Sequence, residues 1–256
     1  MSEDKYNIIC LSNQLWDFPN WTNKRQVMHR LAKQGHNVLF VDPPINLGRV
    51  FVRQILRGKW PPKRIISQVK KDPCGAVIYT PINVFPLDSV TSKMHARRIS
   101  KLAHKIFWGK KAANSEGRKT ILWVYHVEIA HISNYVLGIP HDLLIYDCVD
   151  NYEGFPRNNT PEKREKIRNK EKYLATKANI VFATAPGLVD KLKQYNQNVH
   201  FTPNVGDFKK FFDVKTRIEN LPQDLERIPR PRVGFTGALD EYKFDAELMK
   251  KTAEKN

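Results

Sequence analysis

The sequence predicts an α/β protein built on a doubly wound, mostly parallel sheet, and three observations carry that expectation. Short apolar runs alternate with longer segments of helical period along most of the chain. The runs are near-continuously apolar, the pattern of strands covered on both faces. Several of them stop at acidic or turn residues, where open α/β sheets hold their ligands.

The stretch Leu143 to Pro156 concentrates these features. Leu143 to Tyr146 is apolar, lacks a helical period and follows Pro140, so it is expected to be a buried parallel strand. Asp147, Asp150, Asn151, Tyr152 and Glu153 then fall at its carboxyl end. The same residues also spell an ordinary turn into a helix, so the stretch alone leaves both readings open.

Taken from the N-terminus, Asn7 to Leu11 is the first strand, followed by the loop Ser12 to Thr22 with Trp16, Asp17 and Trp21. Asn23 to Gln34 carries Val27, Leu31 and Ala32 at helical spacing, with Gly35 at its C-terminal cap. Asn37 to Val41 completes a βαβ unit that lacks Gly-x-Gly-x-x-Gly, which disfavours a nicotinamide or flavin enzyme. Residues 45 to 71 hold eight Lys or Arg and no acid, interleaved with Phe51, Ile55, Leu56 and Trp60. That is the composition of an element resting on an anionic membrane, or of solvated basic loops.

Ile65 to Val69 and Ala76 to Thr80 read as strands, and a helix follows from about Val90 to Ala113. Between Thr91 and Thr120 stand nine Lys or Arg and one acid, Glu116. Met94, Leu102, Ala103, Ile106 and Phe107 are assigned to its inner face, Arg97, Arg98, Lys101 and Lys105 to an outer face suited to docking or to solvent. Ile121 to Tyr125 is a strand that delivers His126 to its carboxyl end, and a helix is expected over Ile129 to Val136. A lone histidine is commonly a hydrogen-bonded structural residue, but a switch-point crevice is where a functional one belongs.

Thr160-Pro161-Glu162 starts a helix running to Thr176. Ile180 to Ala183 and Val199 to Thr202 read as strands around a helix over Pro186 to Gln194. Residues 213 to 230, with Pro222 and Pro229, read as a linker. Arg232 to Thr236 and Phe244 to Lys255 read as the first strand and helix of a further domain. The expected division is residues 1–212, a linker over 213–230, and a truncated second domain over 231–256.

Composition narrows the partners. With 256 residues and 41% hydrophobic content the chain folds as one large α/β domain, or one domain and part of another. Its 43 Lys and Arg against 26 Asp and Glu give +17, which favours a polyanionic partner: nucleic acid, anionic lipid or phosphorylated substrate. Cys10, Cys74 and Cys148 are widely spaced and read as buried free thiols of a reducing cytoplasm. No Cys-x-x-Cys or His/Cys spacing suggests a metal. Glu3 and Asp4 are wrong for a secretory signal, and no apolar run reaches the roughly 18 residues of a membrane span. A soluble or peripheral protein is therefore expected.

Five segments carry a family resemblance: Trp-Val-Tyr-His (123 to 126), Tyr-Asp-Cys-Val-Asp-Asn-Tyr (146 to 152), Ala-Asn-Ile-Val-Phe-Ala-Thr-Ala (178 to 185), Pro-Asn-Val-Gly-Asp (203 to 207) with Phe211, and Val-Gly-Phe-Thr-Gly-Ala (233 to 238). In this order they resemble family 4 glycosyltransferases, over nearly the whole chain. The resemblance implies the Rossmann-like N-terminal half of a GT-B enzyme plus the start of an incomplete second Rossmann-like domain. It implies transfer of a sugar, with retention of configuration, from a nucleotide-sugar to a polysaccharide or lipid-linked acceptor at the cytoplasmic face of the cell membrane, in building the cell envelope. The nucleotide-sugar is a substrate, and no cofactor or metal is implied.

By this likeness His126 and Asp150 are the catalytic candidates, with Asp147, Asn151, Tyr152 and Asn204 lining the cleft and Gly237 and Lys243 on the donor side. The usual glycine-rich turn after the first strand is replaced by Trp-Asp-Phe-Pro-Asn-Trp (16 to 21), which suggests that Trp16, Asp17 and Trp21 form a surface that stacks on sugar. The usual Asn-Gly-Val-Asp reads Asn204-Val205-Gly206-Asp207. The alternatives from other classes are a nucleic-acid- or membrane-binding module without catalysis, and a remnant that only binds the acceptor.

Overall fold

The computed structural model describes residues 4–47, 68–83, 89–109, 117–217, 221–237, 239 and 244–255. The chain divides into two compact units, Met1–Gly206 and Asp207–Asn256, a boundary a few residues earlier than the expected 212.

The strands in chain order are β1 (Asn7–Leu11), β2 (Asn37–Val41), β3 (Ile45–Asn46), β4 (Val69–Lys71), β5 (Val77–Tyr79), β6 (Ile82–Asn83), β7 (Thr120–Val124), β8 (Leu143–Cys148), β9 (Ile180–Ala183) and β10 (Val199–Phe201). Eight of them form one sheet in the order β10-β9-β8-β7-β1-β2-β5-β4, while β3 pairs with β6. Every neighbouring pair in the large sheet is parallel except β4 with β5. Its helices are α1 (Asn23–Lys33), α2 (Ser89–Trp108), α3 (Ile132–Gly138), α4 (Pro161–Lys177) and α5 (Pro186–Lys193). The chain starts in the middle, winds outward through β2 and β5, returns to lay β7 against the other side of β1, and winds outward again. This is the doubly wound, Rossmann-like arrangement that the sequence predicts.

The central strands form because they are apolar on both faces. Ile8, Ile9, Cys10 and Leu11 of β1, Val38 to Val41 of β2 and Leu122 and Val124 of β7 are all buried. Leu11 is level with Val41 on one side and Val124 on the other, so the three strands end together. α1 turns Met28 and Ala32 inward and stops at Gly35, whose φ of +91° a side chain would resist. The Gly35 and His36 amides donate to Ala32 O and Leu31 O and close the helix. α4 starts where Thr160 caps the Lys163 amide and Pro161 opens the first turn.

Several boundaries depart from expectation for physical reasons. β8 runs two residues further than read, because Phe182 and Ala183 of β9 pair with Asp147 and Cys148 and draw them into the sheet. α3 starts at Ile132 rather than Ile129, since the preceding residues form a turn in which His131 adopts a left-handed φ of 53°. Met94, assigned to the inner face of α2, is 46% exposed, while Ala96, Ile99, Ala103 and Phe107 pack inward. In the second unit residues 207–256 form α6 (Phe208–Arg217), α7 (Gln223–Glu226) and α8 (Ala246–Glu254). The strand expected over Arg232 to Thr236 does not form: among the described residues of that unit no second strand is present to pair with it. The basic stretch 48–67 and residues 110–116 lie outside the described residues.

The loop after β1 is tied to the sheet by buried Asp42. Its Oδ1 accepts the Trp16 amide at 2.7 Å and its Oδ2 the Thr80 hydroxyl at 2.7 Å. The indole Nε1 of Trp16 donates to Asp72 Oδ2 at 2.8 Å, and the ring packs edge-on against Phe40. Asp42→Ala strands two buried donors, and a loss of about 2–4 kcal/mol is expected in urea denaturation. A change below about 0.5 kcal/mol would show that this tether is dispensable.

Candidate functional site

The order of strands reverses between β1 and β7, so their carboxyl ends open onto a crevice that no crossover bridges. Ser12 follows β1, Asp42 follows β2, and Tyr125 and His126 follow β7. A cavity of about 220 Å³ lies there, lined by Ser12, Asp42, His126, Glu128 and Tyr135 among prolines and aliphatic side chains. A wider depression of about 560 Å³ between α3 and α4 is lined by charges that are exposed or half-buried, and it gathers no buried titratable group.

His126 is 7% exposed, and its Nδ1 has no hydrogen-bond partner among the described residues. Burial, reinforced by the positive charges of Lys24, Lys170 and Arg157, pushes its pKa down to about 3. The imidazole is thus neutral at physiological pH, with a buried ring nitrogen that lacks a hydrogen-bond partner among the described residues. Around it, Arg157 clamps Glu128 through Nε at 2.9 Å and Nη2 at 2.5 Å, and Lys170 Nζ donates to Ile129 O at 3.1 Å. Tyr152 packs beside His126 with ring centroids 6.3 Å apart, and its hydroxyl donates to Tyr125 O at 3.1 Å.

Across the end of β8, Asp147 is 5% exposed and accepts the Trp123 indole N–H at 3.1 Å. Burial raises its pKa to about 6, against the pull of its hydrogen bonds and of Lys24. Lys24 lies on the first turn of α1, with Nζ 5.5 Å from the centre of the Tyr125 ring. Its own pKa is lowered by burial, and the nearby negative charges of Asp150 and Asp147 offset part of that cost. A buried carboxyl poised near neutrality therefore lies on β8, a neutral imidazole follows β7, and the buried ammonium of Lys24 on α1 is near enough to act on both. Such a group can orient hydroxyls, hold a phosphate by its cations and exchange a proton at Asp147.

Of the sequence candidates, His126 lines this crevice, while Asp147 lies on β8 and Asp150 just beyond its end. Asp150 and Asn151 are exposed beside it, on the turn that leads to Tyr152. Asn204 is exposed next to Val205, whose amide donates to Asn23 Oδ1 at 3.2 Å, so the segment after β10 runs back to the start of α1. Tyr152 is fully buried and serves as a wall and a tether for the strand end. Trp16 is also fully buried, with its indole committed to Asp72, so it offers no face to a sugar. Asp17 pairs with Lys70, and Trp21, 43% exposed, is covered on one face by Arg25 and meets the His29 ring edge-on. The loop is therefore a packed cap, which corrects the expectation of a stacking surface. In the second unit Gly237 is exposed, and a Cβ there would meet the Phe235 ring at 2.9 Å. Lys243 lies outside the described residues.

Sequence reasoning missed Lys24 and Glu128. One signal was available for Lys24: α1 carries no acid in its first turn, where the helix dipole favours one, and holds a lysine instead. Glu128 gave none, because its role depends on Arg157 folding back from 29 residues away.

No family model matches the chain, and no curated protein matches it in sequence. Among solved structures it is similar to sucrose-phosphate synthase from Thermosynechococcus elongatus, at 14% identity and a TM-score of 0.50. The match covers 85% of this chain and 53% of the other, so the chain spans about half the length of that protein. At this identity the likeness establishes the fold.

Linkage follows from His126. Its folded pKa lies below that of an unfolded histidine, so its contribution to stability is complete above about pH 6.5 and is lost as pH falls towards 3. Between pH 7 and pH 4.5 the parent should lose about 2–3 kcal/mol more than a folded His126→Gln variant, measured by urea denaturation. Identical acid sensitivity in the two would place His126 in solvent.

Proposed function

We propose that the first unit is the acceptor-side half of a glycosyltransferase that moves a sugar from a nucleotide-sugar to a glycan or lipid-linked acceptor. The observation that carries this reading is the unpartnered, neutral His126 at the β1–β7 switch point, on a fold similar to that of sucrose-phosphate synthase. An uncharged imidazole suits a sugar hydroxyl, which needs hydrogen bonds rather than charge. Lys24, Arg157 and Lys170 supply positive potential for a diphosphate nearby. Asp147 and Asp150 border the acceptor, and Asp147, with a pKa near 6, can take up a hydroxyl proton. In this reading the chemistry retains anomeric configuration, as in family 4. The donor is held from the second unit, where Gly237 and Lys243 are the candidate contacts, and no cofactor takes part.

The membrane part of the proposal rests on α2. Val90, Met94 and Trp108 are exposed on it, and Arg97, Lys101 and Lys105 stand exposed between them at helical spacing. Apolar side chains flanking a basic middle suit an anionic bilayer surface. No helix among the described residues is long and apolar enough to cross a membrane. In this reading the protein works at the cytoplasmic face of the membrane and needs no nucleic acid.

A screen of nucleotide-sugars for hydrolysis and for transfer to glycan and polyprenyl-linked acceptors tests the activity. In a version that carries a complete donor-side domain, His126→Ala should lower turnover at least tenfold while shifting the melting temperature by no more than a few degrees. Equal turnover in the folded variant would remove His126 from the site. Sedimentation with vesicles containing phosphatidylglycerol should retain the parent and lose the Lys101→Glu/Lys105→Glu variant as salt is raised. Retention on RNA but not on vesicles would contradict the membrane reading.

A further inference from the structure

We infer that His29, Asp72 and Cys74 form a zinc site, in which one ligand atom from each lies within 4.8 Å of the others. His29 stands on α1, while Asp72 and Cys74 belong to the turn that joins β4 to β5. His29 is more than forty positions from the other two, so only the fold brings it to the Asp72–Cys74 turn. The site is distinct from the crevice at the β1–β7 switch point and does not rest on the transferase reading.

The donor set selects the ion. Imidazole nitrogen, thiolate sulfur and carboxylate oxygen together suit Zn²⁺, whereas Mg²⁺ and Ca²⁺ require oxygen shells. In a tetrahedral shell with bonds of about 2.0–2.3 Å, ligand atoms stand roughly 3.3–3.7 Å apart. Small side-chain rotations bring these three to that spacing, and water takes the fourth position. The ligands are also held from behind, as metal ligands are. Asp72 Oδ2 accepts the Trp16 indole at 2.8 Å, and Oδ1 accepts the Cys74 amide at 2.9 Å, which leaves a lone pair on each oxygen. The turn is closed by Asp72 N–H to Ala76 O at 2.8 Å and Gly75 N–H to Asp72 O at 2.9 Å. Trp21 packs its ring against His29, with centroids 4.9 Å apart.

Lys33, Arg25 and Arg30 make the surroundings of His29 positive, which opposes a dication. One carboxylate and one thiolate cancel the two charges of the ion once the Cys74 proton has left, so the loaded site is itself neutral. Bound zinc would tie α1 to the β4–β5 turn and hold the Trp16–Asp72 contact that seats the loop after β1.

Titration of the metal-free full chain with Co²⁺ reads the site directly. One equivalent should produce a thiolate-to-cobalt band in the near ultraviolet, displaced by Zn²⁺. The band should vanish in Cys74→Ser, and His29→Gln should weaken Zn²⁺ binding about tenfold or more. X-ray absorption at the zinc edge of the parent should show one sulfur among nitrogen and oxygen ligands, whatever the folding of the variants. A parent without the cobalt band, a band that survives in folded Cys74→Ser, or a zinc shell without sulfur would overturn the inference.

Discussion

The structure depends on one constraint of sheet topology: two parallel half-sheets wind away from a common centre, and their connections cannot both cover the gap between β1 and β7. Backbone groups along the strands are mostly paired within the sheet, with Asp142 and Asn179 side chains taking the Thr120 and Leu144 amides. The strand ends remain open, and the side chains that follow them converge there. Ser12, Tyr125 and His126 reach the gap because Leu11 and Val124 are level in the register. A slip of one residue would turn His126 to the opposite face.

Dehydration gives this gap its chemistry. Lys24, His126 and Asp147 are each more than nine-tenths buried, and burial moves each towards its uncharged form. They do not neutralise one another through tight ion pairs. Instead, hydrogen bonds from Trp123 to Asp147 and the aromatic face of Tyr125 near Lys24 moderate the cost. Groups held this way are expensive to the fold and poised for proton exchange or for a polar ligand. By contrast, buried Glu171 is paired with Lys191 at 2.5 Å and contacts Tyr146 and Cys148 of β8, as a structural carboxylate would.

Much of the fold was legible because it is local. β1, β2 and β9 follow from apolar runs bounded by turn residues, and α4 from its capping threonine and proline. The positions of His126, Asp147 and Asp150 at or just beyond the ends of β7 and β8 were legible because a strand's carboxyl end is itself a location. What failed was decided at long range. Trp16 has the composition of a sugar platform, yet Asp42 and Asp72 bury it from 26 and 56 residues away. Residues 232–236 have strand composition but no neighbour among the described residues to pair with. His29, Asp72 and Cys74 show no metal spacing, since the turn between β4 and β5 comes to α1 only in the folded sheet.

The central claim is that the β1–β7 crevice binds the reacting sugar through an uncharged His126. Nitrogen-15 spectra of the histidine rings, followed as nucleotide-sugars and acceptor glycans are added to the full chain, test it most directly. The account predicts that the His126 ring remains neutral down to pH 5 and that the ligand that binds shifts its Nδ1 resonance, with the exposed histidines unmoved. A His126 that titrates near 6.5, or a bound ligand that leaves its resonances unchanged, would contradict it.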